Sequence, residues 1–209
     1  MQVAPFRKVW RHQQVVDVTG PAYTVRTYLE QADLRSWLHR VAGMTTIHMT
    51  ADVGAGYGRL TPVLAEFAEQ VVAFEREPHF ITDIQRFLPH VEALQVQALT
   101  DLPIPGSMFQ FVFTFTVLQH LDDNELFGAI SELKRIVATP GFVLLCEATD
   151  PAIHYVEESS PEGGVTIGRS VEEYQQLLAP LKLIATAPRR VEPTFACLDT
   201  GTYMLFQRI

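Results

Sequence analysis

The spacing of apolar residues changes along the chain. Ile47, Met49, Ala51 and Val53 alternate with more polar neighbours, the two-residue period of a strand, which places a strand over 46–53. Leu60, Val63, Leu64 and Phe67 then follow at helical spacing and predict a helix over 59–69. Val71-Val72-Ala73-Phe74 predicts a second buried strand, with Glu75 at its carboxyl end. Pro78 opens a helix through Phe80, Ile84, Phe87 and Leu88, and Pro89 ends it. Ala93 to Val96 is a short third strand. Phe109 to Val117, interrupted only by Gln110, Thr114 and Thr116, predicts a central strand buried on both faces. Asp122 or Asp123 caps the next helix, with Glu125 placed for a capping box. Leu126, Ala129, Ile130, Leu133, Ile136 and Val137 form its stripe, and Pro140-Gly141 is expected to stop it. Phe142 to Cys146 is a fifth strand, ended by Glu147.

The flanks are less regular. Tyr28, Leu29, Leu34, Trp37, Leu38 and Val41 recur at near-helical spacing and predict one or two helices within 1–44. These cover the sheet or the mouth of a site, and Tyr23 and Tyr28 are the candidates for a lid. For Trp37, simple packing is an equal alternative. Residues 148–169 carry Pro151, Pro161, Gly163, Gly164 and Gly168 without a period, so a long loop is expected. Ser170 and Glu173 make a capping box for a helix through Val171, Tyr174, Leu177 and Leu178. Leu181 to Ala187 and Phe195 to Leu198 are late strands. Asp199-Thr200-Gly201 turns the chain into a last strand at Tyr203 to Phe206. Alternating strands and helices predict an α/β fold on a mostly parallel sheet, with an antiparallel strand at one side. The expected organisation is a single domain over 1–209, with a helical cap at 1–44 and the core at 45–209.

Composition narrows the picture. Apolar residues make up 47% and charged residues 19% of 209, which suits a globular domain with one sizeable core. The net charge of −8, with no Lys or Arg run beyond two, argues against a nucleic acid partner. Cys146 and Cys197 have no metal or redox spacing, no HExxH occurs, and no metal site is expected. Without a signal-like start or a long apolar run, a cytoplasmic protein without membrane association is expected.

The candidate chemistry lies between the first strand and its helix. Asp52-Val53-Gly54-Ala55-Gly56-Tyr57-Gly58-Arg59 is a glycine turn where a ligand can approach bare backbone. Glu75 follows about 20 residues after the first glycine, at a strand end where a carboxylate suits the hydroxyls of a ribose. The third glycine falls one residue too early for the nicotinamide fingerprint. This turn, with Glu75, resembles the first motif of the class I S-adenosylmethionine-dependent methyltransferases, over roughly residues 45–150.

The resemblance implies a seven-stranded, mostly parallel, Rossmann-like sheet with helices on both faces and the last strand antiparallel. It implies S-adenosylmethionine as cofactor, with Asp52, Gly54, Ala55, Gly56, Glu75, Ala98, Leu99 and Phe115 in its site. Arg59 is similar to an arginine that holds the methionine carboxylate in methyltransferases of protein N-terminal amines; an ordinary exposed helix arginine is the alternative. Family members often carry an acid for the adenine amino group where Ala98 stands, and an Asp where Gln110 stands. Phe115-Thr116-Val117-Leu118-Gln119-His120-Leu121 resembles the family's V-L-x-H-L segment. His120 is the candidate general base, and a capping or core histidine is its alternative. Glu147, Asp150, His154, Tyr155, Glu157 and Glu158 are candidates for facing a cationic substrate. The expected function is methyl transfer to O or N of a small molecule. A protein or peptide amine is the second expectation, and a non-catalytic binding module the third.

Overall fold

The computed structural model describes residues 8–11, 14–17, 21–157, 164–190 and 201–209, with side chains omitted for 8–17, Ala22 and 155–165. A short antiparallel hairpin, β1 (Lys8–Arg11) and β2 (Gln14–Asp17), precedes one helix, α1 (Pro21–Ala42). The core then runs β3 (Met49–Val53), α2 (Thr61–Leu64), β4 (Gln70–Glu75), α3 (Pro78–Phe87), β5 (Glu92–Gln95) and β6 (Phe109–Phe115). It continues through α4 (Asp123–Ile136), β7 (Val137–Ala148), a second hairpin of β8 (His154–Glu157) and β9 (Gly164–Ile167), α5 (Val171–Leu177), β10 (Lys182–Pro188) and β11 (Gly201–Arg208).

Seven of these strands form one sheet in the order β10-β11-β7-β6-β3-β4-β5. Pairings β3–β4, β3–β6, β4–β5 and β6–β7 are parallel, while β11 runs antiparallel to both β7 and β10. The seven-stranded mixed sheet with an antiparallel last strand therefore stands. The antiparallel strand is not at one side, however: β11 is inserted between β7 and β10. Tyr203, Met204, Leu205 and Phe206 are all buried, and only an interior strand buries both faces of such a run. The sheet's order reverses between β3 and β6, the place where open α/β sheets form a ligand crevice.

Alternate residues serve the two faces. Ala51, Val53, Val143, Leu145 and Met204 pack with Leu126, Ile130 and Leu133 of α4 and Tyr174 of α5. Phe111, Phe113, Leu144, Cys146 and Leu205 pack with Leu34, Leu38 and Val41 of α1 and Ile84 of α3. Trp37 joins the second core, its ring 6.0 Å from that of Tyr203, so packing accounts for it. Gln110 also has a structural role, since its Oε1 accepts the Met49 N–H at 2.8 Å and ties β6 to the start of β3.

Four local expectations change. Within the predicted helix 59–69 only Thr61–Leu64 is α-helical; the Glu66 and Phe67 amides bond three residues back, to Val63 and Leu64, which tightens the chain into turns. Pro140-Gly141 does not stop α4, because Val137 already leaves the helix in an extended conformation and begins β7. The long loop contains the β8–β9 hairpin, whose four-residue strands are at the lower limit for showing a period. Among the described residues, the N-terminal segment adds the β1–β2 hairpin to one helix. The strand expected at Phe195–Leu198 and most of the turn at 199–201 lie outside the described residues.

Candidate active site

The chain leaves β3 at Val53 into Gly54 and Gly56, with φ of 75° and 57°. A Cβ on Gly54 would lie 2.5 Å from Val117 Cγ2, so the turn touches the segment after β6. At Gly56 a Cβ would meet nothing within 4 Å, leaving backbone bare toward open space. Glu75, at the end of the neighbouring strand, holds this turn. Its Oε2 accepts the Gly56 N–H at 2.7 Å, and its Oε1 accepts the N–H groups of Arg76 (2.7 Å) and Glu77 (3.0 Å). One carboxylate thus ties the glycine turn to the end of β4.

Two cavities meet at the switch point. The larger, about 380 Å³, is lined by Gly54, Glu75, Ala98, Leu99 and His120 among others. The smaller, about 180 Å³, is lined by Asp52, Gly54, Ala55, Gly56, Arg59 and Phe115, with Tyr23, Tyr57 and Phe80. Gly54, Thr116 and Val117 line both. The nine cofactor-site candidates and His120 therefore all line one cavity or the other. Thr116 has φ of 53°, a left-handed conformation costly for a β-branched residue, at the seam of the two cavities.

A set of buried side chains holds the segment after β6. Glu147 is fully buried; it accepts from Thr114 Oγ1 (2.9 Å) and from the N–H groups of Val117 (3.2 Å) and Gln119 (3.1 Å). Burial pushes its carboxyl above the usual range, against the pull of those hydrogen bonds. Glu147 is therefore a buried clamp and not a group facing substrate, which corrects the expectation for it. Arg169, also buried, works from the other side, donating to the carbonyls of Leu118 (3.3 Å) and Leu121 (3.0 Å) and to Asp123 (2.9 Å). His120 is exposed at the rim of the larger cavity, 3.2 Å from Thr166 Oγ1 of β9 through Nδ1 and 3.4 Å from Gln119 Nε2 through Nε2.

The smaller cavity is charged. Asp52 accepts from Thr61 Oγ1 at 2.6 Å, and burial pushes its carboxyl up to about 7, against that hydrogen bond. Arg59 is not the exposed helix arginine of the alternative reading. Its guanidinium donates to Glu30 and lies over the rings of Tyr23 (5.6 Å) and Phe115 (5.5 Å). Glu30, 1% exposed, also meets Arg26 at 2.8 Å and Arg189 at 3.9 Å. Burial raises the Glu30 carboxyl, but the charges of Arg59, Arg26 and Arg189 outweigh it and leave it below the usual range. Tyr23 is buried beside this cluster, whereas Tyr28 is 65% exposed on α1.

Several of these residues escaped the sequence reading. Arg26 and Glu30 sit on the buried side of α1, four residues apart, and only that spacing hinted at a pair. Gln119 and Arg169 gave no signal of their own. Asp150 accepts the Ala152 N–H at 2.9 Å in an exposed turn, and His154 is exposed. Glu158 and the side chains of Tyr155 and Glu157 lie outside the described residues.

A family model described as a methyltransferase domain matches residues 51–145, from the glycine turn to the fifth core strand. Over these residues the chain is similar to the methyltransferases. A Mycobacterium tuberculosis protein named a probable S-adenosylmethionine-dependent methyltransferase is 27% identical over 135 residues, 65% of this chain and 40% of that protein. The chain thus spans well under half the length of the curated relatives it matches. Among solved structures, a 1,6-didemethyltoxoflavin N1-methyltransferase of Burkholderia thailandensis, with 1,6-didemethyltoxoflavin and S-adenosylhomocysteine bound, superposes with a TM-score of 0.68. It is 14% identical, and the match covers 97% of this chain and 94% of that one. The N-methyltransferase NodS of Bradyrhizobium japonicum, solved with S-adenosylhomocysteine, has a TM-score of 0.65 at 15% identity, covering 85% and 86%. At these identities the two structures speak for the fold alone.

Proposed function

We propose that this protein is a class I methyltransferase that binds S-adenosylmethionine across its two joined cavities and transfers the methyl group to a nucleophilic oxygen or nitrogen of a small molecule. One observation carries the reading: at the sheet's switch point, the bare backbone of Gly54 and Gly56, the Glu75 carboxylate and the segment after β6 converge on adjoining cavities. Glu75 takes a ribose hydroxyl with the one lone-pair site its three backbone donors leave over, and Ala98 and Leu99 bracket the adenine. Gly54, Ala55 and Gly56 pass beneath the cofactor, with Asp52 bracing the turn through Thr61. Arg59 holds the methionine carboxylate. Its guanidinium has five N–H donors, so the bond to Glu30 orients the fork without consuming it.

The bound cofactor supplies an electrophilic methyl carbon on a positively charged sulfur. The chain's own residues position the acceptor beside it and take the acceptor's proton. His120, on the rim of the larger cavity, is the base, and Phe115 and Tyr23 wall the smaller one. Cavities of about 380 and 180 Å³ suit a cofactor with a small acceptor. The relative with bound 1,6-didemethyltoxoflavin supports a small-molecule acceptor by analogy. Residues 1–209 act as one unit in this reading, with α1 as the cap of the smaller cavity. A cytoplasmic location is part of the proposal, supported by Cys146, a buried free thiol. Among the described residues no helix is long and apolar enough to cross a membrane.

Calorimetry with S-adenosylhomocysteine and with NADH tests the cofactor, and a panel of phenols, acids and amines then tests transfer. Binding of the former and methylation within the panel are expected. Tight NADH binding without S-adenosylhomocysteine binding would refute the reading.

A further inference from the structure

We propose that Gln119 holds His120 as the Nδ1–H tautomer and thereby makes Nε2 the proton-accepting atom. This inference rests on the reading of His120 as the base.

The argument starts from a backbone group that can only donate. The Ala148 N–H, in β7, bonds to Gln119 Oε1 at 2.8 Å. That end of the amide must be oxygen, so the other end, 3.4 Å from His120 Nε2, is the NH₂ group. An amide nitrogen donates and does not accept. Nε2 therefore offers its lone pair, and the ring proton resides on Nδ1. There it faces Thr166 Oγ1 at 3.2 Å, and a hydroxyl oxygen accepts readily. Gln119 and Thr166 agree on one tautomer.

Gln119 is suited to this because its backbone and its amide oxygen are anchored, while the long 3.4 Å contact from its NH₂ can yield to a better donor. It is 8% exposed, its own N–H is held by Glu147 at 3.1 Å, and Arg169 pins the carbonyl of Leu118 beside it. Thr166, likewise 8% exposed, comes from the β8–β9 hairpin. The ring is thus set between the clamp on β7 and the hairpin. Gln119 is a positioning residue: it acts through His120 and not on the acceptor.

The consequence for transfer is specific. The acceptor's O–H or N–H displaces the Gln119 amide from the Nε2 lone pair and passes its proton there. The pair of that O–H or N–H bond stays on the acceptor atom and forms the new bond to carbon, while the carbon–sulfur pair leaves with sulfur as a neutral thioether. The imidazolium keeps its Nδ1–H bond to Thr166. Its new Nε2–H finds no acceptor on the Gln119 amide, so the proton is passed on to solvent at the exposed rim and the ring resets.

Nitrogen-15 spectroscopy of histidine-labelled protein with S-adenosylhomocysteine bound tests this, with the His120 signal identified by its loss in His120→Ala. At about pH 8, where histidine is ordinarily neutral, an Nδ1–H pattern is expected in the wild type. Gln119→Glu offers a carboxylate oxygen in place of the NH₂ and should invert the pattern to Nε2–H. Turnover should then fall roughly 10²-fold, the scale of a misdirected base, with S-adenosylhomocysteine affinity unchanged. Gln119→Leu should give mixed tautomers and a smaller loss. An Nε2–H wild type would overturn the proposal even if neither variant folds, as would full turnover in a folded Gln119→Glu. An Nδ1–H wild type together with a fully active His120→Ala would instead overturn the base reading, and the role of Gln119 with it.

Discussion

Glu75 offers the sharpest test because one carboxylate is asked to do two things. Glu75→Gln keeps its shape and removes one acceptor. In the wild type, Oε1 serves the N–H groups of Arg76 and Glu77 while Oε2 serves that of Gly56. A carboxamide has a single oxygen. If it stays with Arg76 and Glu77, the NH₂ faces the Gly56 N–H, donor against donor. The lost charge-assisted bond would be worth about 1.5–3 kcal/mol if fully buried. Water can reach these part-buried amides, so a stability loss of about 1–2 kcal/mol is expected. The ligand-binding loss is separate: a charged carboxylate accepting from a ribose hydroxyl should contribute about 1–3 kcal/mol, or roughly 5- to 150-fold in affinity for S-adenosylhomocysteine. Denaturant titration of the free protein reads the first quantity and calorimetry the second. A 2′,3′-dideoxy analogue should bind the wild type and the variant alike. Equal affinity of both proteins for S-adenosylhomocysteine, beside the expected loss of stability, would reduce Glu75 to a loop tie and refute the ribose assignment.

Three further outcomes follow from the site. Glu30→Gln removes the buried partner of Arg59, Arg26 and Arg189 and should cost about 3–5 kcal/mol in denaturant titration, with the loss shrinking as acid protonates the wild-type carboxylate below its depressed range. Asp52, pushed up to about 7, keeps its proton in the folded state after the unfolded chain has released it near pH 4, so the wild type should lose stability as pH rises from about 4 to about 7. Asp52→Asn should flatten that slope, whose total is bounded at about 4 kcal/mol; a wild-type slope of opposite sign in this window, undiminished in the variant, would show that burial does not govern Asp52. His120→Ala should cut turnover by roughly 10²–10⁴-fold on an acceptor that must lose a proton, with S-adenosylhomocysteine affinity nearly unchanged; a stably folded, fully active variant would end the catalytic assignment.

Much of the centre was readable in advance. The change of period around Gly54, the apolar run before Glu75 and the double-sided strand before His120 are local signals, and each placed its residue at a strand's carboxyl end. The flanking elements were harder. Arg26 and Glu30 occupy core-facing positions of α1, so the buried side of that helix carries charges at the positions where a helical period would show apolar residues. The β8–β9 strands are four residues each, at the lower limit of the window in which alternation can be recognised.

The sequence by itself determined the alternating α/β core, the glycine turn and the acid that follows it, because each depends on neighbours within a few residues. Tertiary structure decided the rest. The insertion of β11 between β7 and β10 depends on pairing with β7, more than fifty residues away. Glu147 became a clamp because the sheet places β6 beside β7, and desolvation then left its carboxylate dependent on the Thr114 hydroxyl and two loop amides. Arg59 became a buried partner of Glu30 because α1 lies over the glycine turn, and the hydrogen-bond partners of a buried charge are set by what folds against it, not by its neighbours in the chain.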